Sequence, residues 1–444
     1  MQSALWIQQL IQNIRKQQTD KVIDLLQPNI QIKGKESFNP DRLSDDMLYH
    51  LRANFQNDAE QNAFNRFALG FLAHSRLIDL LASGKQMGKQ GITIKNQIFQ
   101  HFQSAFTGFE QICDMPFIDG KWIGLVVDHL CKLITNYGIE ADQEYLNSKE
   151  AQEILNANGT YKSIHACQEA ALSAMESLFR RLQQCNNQAP DNRKFADFFI
   201  SLRLIKLQFK LNNFKNTERF FKWIDTQAQP SIGYNMNMFP EKFRVMLSFF
   251  KGRYYLYKNE FSNARNELRQ AFSNCHTDYP KNKKKILKFL IPVEMNLNKF
   301  PSKLLLQKYQ LNEFIPLAES CIQGDLKKFE ETIEQYMDTY VMSGVFLAVE
   351  KLRHLTIRNL IKKVALAIAK EPELQEGFED KPHIILIENI YHIMNQWDQE
   401  LDLDELECIL ANQIYLGYLK GYIMHDKRIL VLGKKSDPFP LKVE

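Results

Sequence analysis

The chain has 444 residues, a formal net charge of +4, and 45% apolar against 24% charged residues. That length exceeds one compact core and fits two or three domains or one elongated stack of helices. The balance excludes a chain dominated by disorder or by a fibrous repeat. The opening MQSALWIQQLIQNIRKQQTDKV has no basic leader before its short apolar run, and no later run approaches the roughly eighteen apolar residues of a membrane span. Secretion and membrane insertion are therefore not expected.

Glycine and proline are sparse, which predicts helices joined by short loops. Asn62 to Ala82 places Phe64, Phe67, Leu72, Leu77, Ile78 and Leu81 on roughly one stripe, the pattern of an amphipathic helix. GKQMGKQ at Gly84 has one residue too few between its glycines for a phosphate loop, ends in Gln and follows a helix, so nucleotide binding is not expected there. Helical stripes recur over Ile98 to Phe109 and Ile123 to Ile134, while the Asn-rich stretches Lys149 to Lys162 and Gln184 to Arg193 read as loops.

From residue 196 the pattern repeats. In FFKGRYYLYKNEFSNARNELRQAF, Gly252, Tyr255, Ala264, Leu268 and Ala271 fall at the spacings of a tetratricopeptide helix pair. Small residues let the two helices approach, and Tyr255 and Leu268 fill the space between them. LNNFKNTERFFKWID, forty-seven positions upstream, repeats the second half, with Phe214 matching Phe261 and Phe221 matching Leu268. A third unit is LAESCIQGDLKKFEETIEQY, with a turn at Gly324 and Asp325 before Leu326, Phe329 and Ile333.

Near the end, Asp402 and Glu405 have the spacing of a capping box for a helix carrying Leu403, Leu406, Leu410 and Ile414, expected to run to about Leu419. Gly421 is expected to end it in a left-handed conformation, before YIMH and ILVL form a two-stranded hairpin. Helices followed by one small hairpin outline a winged helix.

Seven cysteines, Cys113, Cys131, Cys167, Cys185, Cys275, Cys321 and Cys408, stand at wide, irregular spacing with no CxxC pair. Reduced, mostly buried thiols are expected, and no metal site or cofactor. No GxSxG, GxGxxG or HExxH motif is present, and a nucleophile with its base is not recognisable, so catalysis is not expected.

Charge is uneven. Residues 251 to 310 hold thirteen Lys or Arg against four Asp or Glu, leaving the remainder slightly acidic. KNKKKILKF sets Lys281, Lys283, Lys284, Lys285 and Lys288 at the start of a helix, a density that a polyanion would relieve. The alternative is a solvated face that only confers solubility. A second basic set comprises Arg358, Lys362 and Lys363, with Lys420, Lys427, Arg428, Lys434 and Lys435 around the expected wing. On the wing helix Asn412, Tyr415, Leu416 and Leu419 exceed what one buried stripe needs and form a candidate partner surface; packing of Tyr415 and Leu416 on Ile423 and Val431 is the other reading.

A tetratricopeptide-like stack, the GDLKKF turn, EKLRHLTIRNLIKKVAL and DELECILANQIYLGYLKGYI with its hairpin resemble the PCI domain of proteasome-lid, signalosome and initiation-factor subunits. The run from FFKGRYYLYKNEF through NKKKILKFLIPVEMNL and LLQKY to DPFP, residues 239 to 440, looks like the PCI-domain subunits of TREX-2 messenger-RNA export complexes and their signalosome-associated relatives. EPELQEGFEDKPHIILIENIYHIMNQW departs from that pattern in being longer and more acidic, which bears on the first wing strand and second helix near His383 to Asn395.

The resemblance implies an all-α fold, a tetratricopeptide-like solenoid ending in a winged-helix subdomain with a small β-hairpin. It divides the chain into a helical region 1–195, repeats over 196–352, a winged helix over 353–435 and a tail, 436–444. It also implies a nuclear scaffold near the pores, with some presence in the cytoplasm. Its partners would be a larger PCI-domain subunit, a small acidic disordered subunit and RNA or DNA, with no membrane or small-molecule substrate. The alternative is an accessory scaffold of a signalosome or proteasome-lid-like complex that binds only proteins.

Overall fold

The computed structural model describes residues 3–28, 30, 45–55, 57–82, 94–113, 115, 122–147, 165–185, 194–228, 235–374, 377–396, 401–434 and 437–440. The GKQMGKQ segment and most of the two Asn-rich stretches lie outside them. The chain forms two compact units, Met1–Phe239 and Pro240–Glu444.

The first unit contains helices α1 (Ser3–Arg15), α2 (Thr19–Leu25), α3 (Asp45–Asn54), α4 (Asp58–Ala82), α5 (Ile94–Ile112), α6 (Trp122–Leu146), α7 (Ala166–Cys185), α8 (Lys194–Lys210) and α9 (Thr217–Gln227). The hairpin α4–α5 is unusually close. A Cβ on Gly70 would lie 2.5 Å from the Ala105 backbone nitrogen, and one on Gly108 would lie 2.5 Å from that of Phe67. Each glycine admits the other helix's backbone, so the two pack antiparallel.

Aromatic residues fill this unit. Trp6 stacks on Phe71 at 5.2 Å, Phe55 on Phe64 at 4.4 Å, and the Phe102 and Tyr137 rings meet edge to face at 5.2 Å. Polar groups also join the helices. Arg203 on α8 donates to both carboxylate oxygens of Asp128 on α6, at 2.6 and 2.8 Å. Asp142 accepts from the Cys167 and Gln168 backbone N–H groups, both at 3.0 Å, and so satisfies donors at the start of α7.

The second unit opens with the pair α10 (Glu241–Tyr257) and α11 (Phe261–Asn274). Gly252 faces Leu268, whose Cγ would stand 2.5 Å from an added Cβ, and Ala264, Leu268 and Ala271 are fully buried. Tyr254 is buried and Tyr255 half-buried; Tyr255, three residues after Gly252, lies on the same face of α10 as that glycine. Asn259 takes a left-handed φ of 63° between these helices, as Asn212 does at 55° between α8 and α9. These asparagines are also forty-seven positions apart, so the repeat extends to backbone geometry.

There follow α12 (Pro280–Asn296), α13 (Lys303–Lys308), α14 (Phe314–Gln323), α15 (Leu326–Ser343), α16 (Phe346–Glu350) and α17 (Leu352–Lys370). Gly324 is left-handed at φ 65°, and an added Cβ would meet the Leu360 nitrogen at 2.4 Å. Asp325 then caps α15, accepting from the Lys328 N–H at 3.0 Å. The GDLKKF turn is thus a helix stop, a close approach to α17 and a helix start in consecutive residues.

β1 (Ile384–Leu386), α18 (Ile387–Met394), α19 (Leu403–Tyr415), β2 (Gly421–Met424) and β3 (Ile429–Leu432) complete the unit. The sheet is antiparallel with order β1-β3-β2, pairing Ile385 with Leu430 and Ile423 with Leu430 across its two ladders. Ile357, Ile361, Val364, Ile390, Leu406, Leu410 and Leu419 pack with Ile385 and Leu430 into one core. The capping box is present: Glu405 N–H donates to Asp402 at 2.7 Å, and Asp402 N–H donates to Glu405 at 3.3 Å.

The helix stop differs from expectation. α19 ends at Tyr415 and Gly417, φ 79°, takes the left-handed position. Gly421 instead opens β2, where an added Cβ would lie 2.3 Å from the Val431 carbonyl oxygen. Among the described residues the fold is therefore all-α apart from one small sheet, with tetratricopeptide-like repeats leading to a winged helix.

Candidate nucleic-acid and partner interface

The first lysine cluster sits on the opening turns of α12, where Pro280 occupies the first helical turn. Ile286, Leu287, Phe289 and Leu290 are buried, so the helix turns its charges outward. Lys281 and Lys285 are exposed, and Lys284 and Lys288 are half-buried. None of these four has an ion-pair partner among the described residues.

Lys283 is differently employed. Its Nζ lies 4.4 Å from the Phe272 ring centroid and donates to the Phe272 carbonyl oxygen at 3.1 Å, in the last turn of α11. It satisfies a helix-end acceptor and favours the negative end of that helix. Lys285, though exposed by area, holds its ammonium 5.8 Å over Phe249, and Arg253 lies over the same ring at 5.7 Å. Desolvation, then the like charge of Arg253, lower the Lys285 pKa. Sequence reading missed Arg253, which stacks on Phe249, Phe250 and Phe289; its signal was an arginine set among aromatic residues, FFKGRYY.

The second set divides. Lys362 and Lys363 are exposed on α17, but Arg358 is 4% exposed, which corrects its expected place on the same outer rim. Its guanidinium donates to the Phe439 carbonyl oxygen and, at 2.7 Å, to Asn359 Oδ1. Burial lowers its pKa, opposed by the charge of Asp437. Arg358 thus anchors the segment after the wing. A spacing of four residues to Lys362 does not keep the two together, because the α17 core face is wide enough to include Arg358 with Leu360, Ile361 and Val364.

Around the wing, Lys420, Lys427 and Lys434 are exposed, and Lys435 lies outside the described residues. Arg428 is left-handed at φ 51° and reaches Asp404 on α19 at 3.4 Å. His425 contacts Glu407, also on α19, at 2.7 Å. The hydrogen bond to Glu407 and its charge raise the His425 pKa, with Asp404 adding to that and Arg428 opposing it. Two ionic contacts thus tie the wing tip to α19. The α12 helix packs with α11, α16 and α17, the helix that carries Lys362 and Lys363, whereas the wing cations ride on the hairpin.

On α19, Cys408, Ala411, Asn412 and Tyr415 are exposed on one face, with Tyr415 at 87%. Leu416 is half-buried, and Leu419, 1% exposed, belongs to the winged-helix core; this corrects its place on a partner surface. Gly417 turns the chain before Leu419 and sends that side chain inward. Tyr415 does not pack on the hairpin. Tyr422 on β2, 56% exposed, is a further aromatic that sequence reading missed. Alternation in YIMH, which sets Tyr422 and Met424 on one side of the strand, was its signal.

Among the described residues no group of three His, Cys, Asp or Glu gathers to hold a metal ion, and no helix is long and apolar enough to cross a membrane. The cysteines whose side chains are described are free thiols, mostly buried, with Cys408 exposed. Burial of this kind raises the Cys321 pKa to about 12.

Helical repeats leading into a winged helix define a helical-repeat scaffold module. No protein-family model matches the chain. A PCI domain-containing protein 2 homolog of Dictyostelium discoideum is 33% identical over 252 residues, 56% of this chain and 54% of that protein. PCI domain-containing protein 2 of Danio rerio is 30% identical over 294 residues, 66% of this chain and 69% of that protein. A protein CSN12 homolog of Neurospora crassa is 31% identical over 262 residues, 57% of each chain. The chain belongs to the PCI-domain family that these relatives represent. Its match spans about half to two thirds of the length of the curated relatives.

Proposed function

We propose that this chain is a non-catalytic scaffold subunit of a TREX-2-like, transcription-coupled messenger-RNA export complex in the nucleus. It pairs through its winged helix with a larger PCI-domain subunit, is stabilised by a small acidic disordered protein, and contributes to a shared nucleic-acid platform. The observation that carries the reading is the row of lysines Lys281, Lys284, Lys285 and Lys288 on α12, each without an ion-pair partner among the described residues. Lys362, Lys363, Lys420, Lys427 and Lys434 add exposed positive charge within the same unit.

Each basic surface alone is modest. Joining two of them makes the second engagement intramolecular, so affinity rises by effective concentration without new contacts. Phosphate neutralisation releases counterions, with a slope of log affinity against log salt of roughly −0.7 per contact on single strands and −0.9 on duplex DNA.

The test replaces Lys281, Lys284 and Lys288 with Glu, leaving Lys283 to hold the end of α11. In a salt titration of RNA binding by the assembled complex, the triple variant should bind far more weakly and its slope should flatten by about two. Assembly should be intact. A slope and affinity equal to those of the unmodified complex would reject α12 as part of the platform and favour a scaffold that meets only proteins.

A further inference from the structure

Between α11 and α12 the chain turns through His276, Thr277, Asp278 and Tyr279, and every residue from His276 to Asn282 is exposed. The Tyr279 N–H donates to the His276 carbonyl oxygen at 3.2 Å, which closes the turn, and the Asp278 N–H donates to His276 Nδ1 at 3.3 Å. The two rings therefore stand together, edge to face, with centroids 6.5 Å apart. Tyr279 is 59% exposed and the His276 side chain 63%. Asp278, the acidic residue of the turn, holds its carboxylate 3.2 Å from His276 Nδ1.

The backbone of Tyr279 is fixed on both sides. Pro280 after it disfavours helical dihedrals, and Tyr279 takes φ −111° and ψ 63°. Its carbonyl oxygen accepts from the Asn282 and Lys283 N–H groups at 3.0 and 3.1 Å, in the first turn of α12. A ring is thus held in water at the head of the row that carries Lys281, Lys284 and Lys288. Lysines neutralise the phosphates of any nucleic acid and do not choose between strand forms. An exposed aromatic ring does choose: duplex bases are stacked on one another, whereas those of a single strand can stack on a side chain.

We propose that α12 receives a single-stranded nucleic acid, whose phosphates follow Lys281, Lys284 and Lys288 while a neighbouring base stacks on the Tyr279 ring beside His276. This rests on the nucleic-acid reading of α12 and adds to it the form of the strand and one base contact.

The assembled complex would be titrated, by fluorescence anisotropy, against a single-stranded RNA of mixed sequence and against the same strand annealed to its complement. Tyr279→Ala should weaken single-strand binding about tenfold, the worth of one stacked base, and leave duplex binding and the salt slope unchanged. Tyr279→Phe, which keeps the ring, should bind as the unmodified complex does. If Tyr279→Ala leaves single-strand affinity unchanged while the Lys281, Lys284 and Lys288 triple variant weakens it, the stacking contact alone is overturned. Equal losses on strand and duplex would overturn it as well. A triple variant that binds the single strand with full affinity would overturn both this inference and the reading beneath it.

Discussion

Lys283 and Arg358 show how a cation in a basic run is diverted inward. Each finds a backbone carbonyl oxygen, that of Phe272 or of Phe439, and a fixed oxygen dipole holds a guanidinium or ammonium that would otherwise face solvent. Neither acceptor is near in sequence, so charge density alone could not separate these two from Lys284 or Lys362. His425 makes a sharper case, because its bond to Glu407 titrates. A raised folded-state pKa means that the contact stabilises the wing at pH below the ordinary imidazole value of 6.5 and is lost as pH rises through the raised one. By NMR, the His425 titration midpoint should lie above 6.5 and fall back towards it in Glu407→Gln; the same midpoint in both proteins would refute the tether.

At the scale of elements, the sequence exposed whatever depends on neighbours in the chain. The Asp402–Glu405 capping box and the Gly324–Asp325 turn were legible because their residues bond to one another or to the next turn. Gly421 was misread for the converse reason: its small size serves β3, whose Val431 carbonyl oxygen arrives through tertiary pairing, while Gly417 supplies the left-handed stop. Gly70 and Gly108 were equally opaque, since nothing local tells a glycine that admits a second helix from one that merely weakens its own. Gly70→Ala measures that difference. Helix propensity alone would favour alanine by about 1 kcal/mol, whereas the clash with Ala105 backbone predicts a net loss of roughly 1–3 kcal/mol in urea unfolding. A neutral or stabilising result would contradict the close α4–α5 contact.

For the whole molecule, the fold class was readable from repeated spacing, because a repeat must bury its neighbours in the same way each time. The candidate site was only partly readable. Residue type marked the basic and aromatic positions, but their exposure depends on which face each helix buries, as Leu419 against Tyr415 shows. A scaffold acts through surfaces that its own fold leaves uncovered. Tyr415 is such a residue: removing it should change stability by no more than about 0.5 kcal/mol, yet an interface centred on it would lose about 2 kcal/mol, roughly thirtyfold in affinity.

The most direct measurement is therefore the set of proteins and nucleic acids that copurify with the full chain from nuclear extract, compared with Tyr415→Asp. The unmodified chain is expected to bring with it a larger PCI-domain protein, a small acidic protein and nuclease-sensitive RNA, and Tyr415→Asp to lose the larger subunit. Retention of the full set by Tyr415→Asp, or the absence of any second PCI-domain protein from the unmodified complex, would contradict this expectation.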